Sequence, residues 1–216
     1  YLYFEKTKEK YFENGEYTKR GWAAEIIGDF SVGEATQIGY HRLLDFRKPL
    51  GWDSQIENIY GVAYLWENSP FYKKWNVSEN TDLDLRFVDE LHLGNVMLYG
   101  KISGFLRYGN INNPYEFKEK KNGKKLLNMD EYYLTIGSII TAKVHDSTLQ
   151  GDIFNNESVF TTDIYPLVWD NKAGFYARWD DFAFYYDLIM ESTDKRNLDW
   201  TDNSFRYHTL KFIFFR

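Results

Sequence analysis

Hydrophobic and polar residues alternate with a period of two along most of this 216-residue chain. Such alternation is typical of β-strands whose two faces meet different surroundings. Leu83, Leu85 and Phe87, for example, alternate with charged residues. The pattern defines further apolar faces at Tyr60, Val62, Tyr64 and Trp66; at Val96, Leu98, Ile102 and Leu106; at Tyr132, Leu134, Ile136 and Ile140; and at Phe182, Phe184, Tyr186, Leu188 and Met190. The chain is therefore predicted to be all-β and antiparallel.

Turn-forming residues divide this pattern into about nine strands. The turn signals are Asn14-Gly15, Asn68-Ser69-Pro70, the polar stretches 110–128 and 194–203, and Asp170-Asn171-Lys172. The predicted strands cover about residues 1–12, 16–28, 55–67, 73–88, 95–108, 130–144, 158–169, 174–191 and 204–216. They are long, and short turns alternate with longer polar connections.

Long amphipathic strands with aromatic residues near their ends favour a transmembrane β-barrel, predicted here as one domain over residues 1–216. In that case the apolar faces point outward to lipid. A soluble barrel or sandwich has the same periodicity with the apolar face turned inward, so periodicity alone leaves both open. Bacterial single-chain barrels close with an even number of strands. A count of nine strands therefore means either that one strand is miscounted or that the first strands of the barrel precede this sequence.

Composition narrows the possible functions. The net charge of −6 argues against a nucleic-acid binder, which needs a basic face. The absence of cysteine excludes disulfides, thiol nucleophiles and cysteine-based zinc sites. No window approaches 18 consecutive apolar residues, so no transmembrane helix is predicted. The N-terminal segment lacks the pattern of a signal peptide, so we expect that any such peptide either has been removed already or was never present.

Residues 32–47 break the alternation and predict a helix, with Ser31 as its cap and Glu34 in its first turn. Gln37 and His41 are four residues apart and would share one face of this helix. A histidine can activate water as a general base, while a glutamine can hold water or substrate. For the pair by itself, a surface histidine without a catalytic role is the more common explanation.

Other candidate chemistry is weak. His92, His145 and His208 stand singly and are interpreted as surface imidazoles, without metal-ligand spacing. There is no nucleophile elbow, phosphate loop or zincin motif. The acidic residues of the later strands and loops are interpreted as polar groups of the barrel lumen or of turns: Asp152, Asp180, Asp181 and Asp187.

Several colinear blocks resemble the outer-membrane lipid A 3′-O-deacylases. The first is Gly39-Tyr40-His41-Arg42-Leu43-Leu44, which is followed by Gly51-Trp52-Asp53-Ser54-Gln55-Ile56-Glu57-Asn58. The later blocks are Leu93-Gly94-Asn95-Val96, Leu106-Arg107-Tyr108-Gly109-Asn110, Ser147-Thr148-Leu149-Gln150-Gly151 and Phe205-Arg206-Tyr207-His208-Thr209-Leu210. The resemblance spans nearly the whole chain.

The resemblance implies a twelve-stranded barrel in the outer membrane of a Gram-negative bacterium. Its implied activity is ester hydrolysis that removes the 3′-linked acyloxyacyl group of lipid A, with calcium as cofactor. His41 matches the general base of the family and Gln37 its partner on the helix. The metal and oxyanion groups of the family lie on strands that precede this sequence, so no residue here is assigned to calcium.

Arg42, Arg47 and Lys48 follow His41 and are candidate contacts for the phosphates of lipid A, or else a solvated basic loop. The expected partners are lipopolysaccharide and outer-membrane lipid. Two other functions stay open. One is an inactive barrel of the same family that serves as a structural or interaction subunit of an outer-membrane assembly, and the other is a soluble lipid-binding barrel.

Overall fold

The computed structural model describes residues 1–47, 52, 56–112, 131–155, 161–179, 182–192 and 204–214. They form one nine-stranded antiparallel sheet in which each strand pairs with its neighbour in sequence, from β1 to β9. The strands are β1 Leu2–Tyr11, β2 Tyr17–Ile27, β3 Ile59–Ser78, β4 Thr81–Gly94, β5 Met97–Asn110, β6 Glu131–Asp146, β7 Leu167–Trp179, β8 Phe182–Ser192 and β9 Ser204–Phe214. The predicted all-β antiparallel architecture is confirmed.

The outer face of the sheet is apolar and exposed, as a barrel wall in lipid requires. On β3, Tyr60 and Val62 are 61% and 62% exposed, whereas Ala63, on the opposite face of the same strand, is fully buried. Ile102, Leu134 and Ile136 are also exposed. These side chains do not pack in a closed core, so the soluble alternative is wrong.

The inner face carries many of the charged residues, and several of them are paired with one another. Asp84 is fully buried and accepts hydrogen bonds from the guanidinium of Arg107, one of them 2.9 Å long. The Arg107 guanidinium also lies 4.8 Å from the ring centroid of Tyr133. On the later strands, Lys172 contacts Asp187 at 2.7 Å. Asp187 is therefore a lumen residue, as predicted.

The two ends of the sheet differ in their connections. At one end, the turn end, β1–β2, β3–β4 and β7–β8 are joined by short connections, and 111–130 is a longer one. At the other, the loop end, long segments join β2–β3, β6–β7 and β8–β9, and only β4–β5 turns tightly. Within the described residues, neither helix is long and apolar enough to cross a membrane.

Several predicted boundaries are wrong although the number of strands is right. Asn68-Ser69-Pro70 is not a turn but a bulge within β3, where a proline without an N–H is tolerated. Asp170-Asn171-Lys172 lies inside β7, so the segments 158–169 and 174–191 are not single strands. Val96, placed on the outer face by periodicity, lies in the β4–β5 turn and is fully buried.

The predicted helix is present as α1, Gly33–Leu43, on the connection between β2 and β3. Its N-cap is Val32 rather than Ser31, whose hydroxyl donates to the carbonyl of Gly28 at 2.7 Å. Glu34 is in the first turn, as predicted. A second, short helix, α2, covers Ser147–Gln150 at the same end of the sheet.

Candidate functional site at the loop end

The start of the α1 connection is fixed by backbone contacts at the end of β2. Gly28 has a φ of +88°, and a Cβ there would lie 2.7 Å from the carbonyl oxygen of Glu57. The amide of Phe30 donates to Oδ1 of Asn58 at 2.9 Å. Both ends of the connection are therefore held together before α1 begins.

His41 is partly exposed on α1, and its orientation is set by the chain that follows the helix. Its Nδ1 lies 2.5 Å from the carbonyl oxygen of Arg47. Because a carbonyl can only accept a hydrogen bond, Nδ1 carries the proton and Nε2 of the neutral ring has the free lone pair. The Phe46 ring meets the imidazole edge-on at 5.8 Å between centroids. This tautomer is the one that a general base acting through Nε2 requires.

The other predicted site residues are placed around His41. Gln37 lies one helical turn earlier and is exposed, and α1 has no buried residue. Arg42 and Arg47 are exposed as well. Lys48 lies outside the described residues.

Large apolar side chains surround this polar group. Leu43 is 80% exposed, and Tyr40 and Phe46 are also exposed. Phe30 continues this surface to the outer face of the sheet, since its ring lies 6.3 Å from that of Tyr60. The histidine therefore sits beside an apolar surface that runs into the lipid-facing wall.

Asn95, in the β4–β5 turn, supports the end of this connection where β3 begins. Its Oδ1 accepts from the amide of Val62 at 3.0 Å, and its Nδ2 donates to the carbonyl of Tyr60 at 2.9 Å. The neighbouring Val96 packs with Ile27 and Ile59, the last residue of β2 and the first of β3. Spacing alone gives no sign of this role, although both residues fall in a block that carries the family resemblance.

The short helix α2 supports the same turn. The amide of Ser147 donates to the carbonyl of Val96 at 2.8 Å, and its hydroxyl lies 2.9 Å from Nε2 of His145. His145 and Ser147 are both buried. The interpretation of His145 as a surface imidazole is therefore wrong, because the loop end folds over it.

A second buried histidine lies below the α1 connection. Nε2 of His92 is 2.9 Å from Oε1 of Glu25, which also accepts a hydrogen bond from the Tyr1 hydroxyl at 2.6 Å. The His92 ring stacks on Tyr99 at 4.9 Å between centroids. The surface interpretation is wrong for His92 too, whereas His208 is exposed and contacts the Tyr186 hydroxyl at 2.7 Å.

A cation site is not formed by the described part of the chain. No three His, Asp or Glu side chains there lie close enough together to hold a metal ion. No described residue is therefore assigned to the calcium that the resemblance implies.

An antiparallel sheet with an apolar, exposed outer face and a polar inner face has the architecture of the wall of an outer-membrane β-barrel, although β1 and β9 do not pair to close it here. The family described as Outer membrane protein LpxR matches residues 1–210. The chain belongs to this family, the outer-membrane lipid A deacylases that the sequence blocks resemble. It is accordingly an outer-membrane protein.

A solved structure supports the same fold. LpxR from Salmonella typhimurium matches with a TM-score of 0.78 and 20% sequence identity, covering 99% of this chain and 73% of that chain. A search of curated proteins gives no significant match. Because the longer loops of outer-membrane barrels face the cell exterior, the loop end with α1 is extracellular and the turn end is periplasmic.

Proposed function

We propose that the protein is an esterase that removes the 3′-linked acyloxyacyl group of lipid A, with His41 as general base. The observation that carries the proposal is the contact between Nδ1 of His41 and the Arg47 carbonyl in a member of the LpxR family. In the neutral ring it leaves the lone pair on Nε2, and the histidine is on the extracellular connection. Lipid A is exposed on that side of the outer membrane.

In the proposed reaction, Nε2 of His41 takes a proton from water as the water oxygen attacks the ester carbonyl. As the tetrahedral intermediate collapses, the bond between the acyl carbon and the 3′ oxygen breaks, and the imidazolium donates its proton to that oxygen, which releases the acyloxyacyl acid. The Nδ1 hydrogen bond stabilises the imidazolium, because the Arg47 carbonyl accepts from it throughout. Gln37, one turn away, is assigned to orienting the water or the substrate.

Substrate binding is assigned to the surroundings of His41. Arg42, Arg47 and Lys48 are proposed to contact the phosphates of lipid A, since guanidinium and ammonium groups bind phosphate well. The exposed Leu43 and Phe46 would then contact acyl chains. In this arrangement the acyl chains stay in the apolar phase while the ester reaches the polar helix.

Calcium is proposed as cofactor only because the sequence resembles the lipid A deacylases. No described residues form a ligand set for the ion.

The test is expression of the full-length protein in a Gram-negative host whose lipid A carries a 3′ acyloxyacyl group. Mass spectrometry of the extracted lipid A should show a species lighter by that group. If lipid A stays intact although the barrel is correctly inserted, the result would instead favour the alternative of an inactive family member that serves as a subunit of an outer-membrane assembly. The heat-dependent shift of a folded barrel on electrophoresis serves as the insertion control.

A further inference from the structure

The outer face of β1 and β2 carries a group of cations that a lipid-facing wall does not need. Lys6, Lys8 and Lys10 alternate along β1 and are all exposed. Arg20 on β2 pairs with Lys8 in the register and is exposed too. These four residues are called the basic outer patch. A Lys or Arg on the lipid face is costly at the bilayer midplane and is tolerated near the interfaces, so the patch indicates a position beside the lipid headgroups.

The protein itself does not neutralise the patch. Within the described residues, none of its four side chains forms a salt bridge, and the register neighbours of Lys6 and Lys10 are Trp22 and Thr18. The acidic residues of β1 point to the other face. Glu5 lies 3.6 Å from Nζ of Lys19 there, and Glu9 accepts from the Tyr11 hydroxyl at 2.7 Å.

The position along the strands matches the headgroup region of the inner leaflet. Lys8 and Lys10 are among the last four residues of β1, beside the turn at 12–16 on the periplasmic end. Arg20 lies opposite Lys8, and its neighbour on β3 is Trp66. Long basic side chains extend to the headgroups, and Trp and Tyr favour the same interface.

We infer that the basic outer patch binds the phosphate groups of anionic phospholipids in the periplasmic leaflet. The chemistry is charge pairing of ammonium and guanidinium groups with phosphate, with the stems of the lysines in the acyl region. The patch is on the opposite end of the strands from His41. The inference is therefore independent of the proposed deacylation.

The test measures lipid binding to the purified full-length protein by native mass spectrometry, with phosphatidylglycerol and phosphatidylethanolamine of identical acyl chains. A triple variant, Lys8→Gln, Lys10→Gln and Arg20→Gln, removes the charge of the patch. Lys73→Gln is the matched control, since Lys73 is exposed on β3 with Leu85 as its register neighbour. Folding of each variant is checked by the heat-dependent shift on electrophoresis.

The wild-type protein should prefer phosphatidylglycerol, and the triple variant should lose that preference. Each basic side chain near an anionic surface strengthens binding about fivefold, so a loss of about tenfold or more is expected. The control should keep the wild-type preference. A triple variant that keeps the wild-type preference for phosphatidylglycerol would overturn the inference.

Discussion

Oδ1 of Asn95 accepts a hydrogen bond from the backbone amide of Val62 at 3.0 Å, although Asn95 lies in the β4–β5 turn and Val62 near the start of β3. The β3–β4 pairing ends at Ala63 and Gly94. Asn95 thus replaces the strand partner that β3 would otherwise lack. In this way the β4–β5 turn fixes the place where the connection carrying His41 returns to the sheet.

Asn95→Ala should destabilise the barrel by about 1–3 kcal/mol, because two backbone groups lose their side-chain partner. Urea unfolding of the protein in lipid vesicles measures the change. Asn171→Ala is the control, since Asn171 is exposed and its side chain bonds only Ser138 among the described residues. Equal stability of the two variants would show that the Asn95 bonds do not hold β3.

Gly28→Ala should destabilise the protein and reduce deacylation. The positive φ disfavours any side chain, and the new Cβ would collide with the backbone of Glu57. The control is Gly39→Ala in α1, where the space around the Cβ position is open. That change should be neutral or stabilise by up to about 1 kcal/mol. Comparable losses of stability in both variants would contradict a specific requirement for glycine at position 28.

Asp84→Ala should destabilise the barrel by roughly 3–5 kcal/mol, since it leaves the Arg107 guanidinium in the interior without its carboxylate. The unfolding midpoint of the reconstituted protein provides the measurement. Asp89→Ala changes a carboxylate on the outer face of the same strand and should shift stability by about 0.5 kcal/mol. If Asp84→Ala behaved like this control, the interior pair would not stabilise the fold.

Arg47→Ala should weaken lipid A binding while leaving the turnover of bound substrate nearly unchanged. The guanidinium is the proposed phosphate contact, whereas the backbone carbonyl that orients His41 is retained. Steady-state kinetics on lipid A in mixed micelles should therefore show a higher KM and a similar kcat. A fall in kcat at constant KM would mean that the side chain acts in the chemical step.

The period-two pattern predicted the outer wall well because lipid and lumen impose opposite polarity on alternate residues. Leu83 and Phe87 follow this rule along β4. Val96 breaks it because a turn residue packs according to its neighbours, here Ile27 and Ile59. Pro70 was assigned to a turn because bulges and turns use the same residue types.

For the candidate site, the sequence located the helix and its histidine but not their support. The burial of His92 and His145 depends on residues far away in the sequence. His92 lies against Glu25, and His145 lies beside Ser147, which bonds the β4–β5 turn. No local spacing encodes such contacts. The orientation of His41 is likewise set by a backbone carbonyl, and because every residue has one, the sequence does not reveal this contact.

The most direct test of the account is the deacylation rate of His41→Ala in the full-length protein, measured by mass spectrometry of lipid A with calcium present. Loss of a general base typically costs about 10²–10⁴ in rate, and Gln37→Ala should have a smaller effect in the same direction. The account predicts that His41→Ala abolishes detectable deacylation in a folded, membrane-inserted barrel. Deacylation at the wild-type rate by that variant would contradict it.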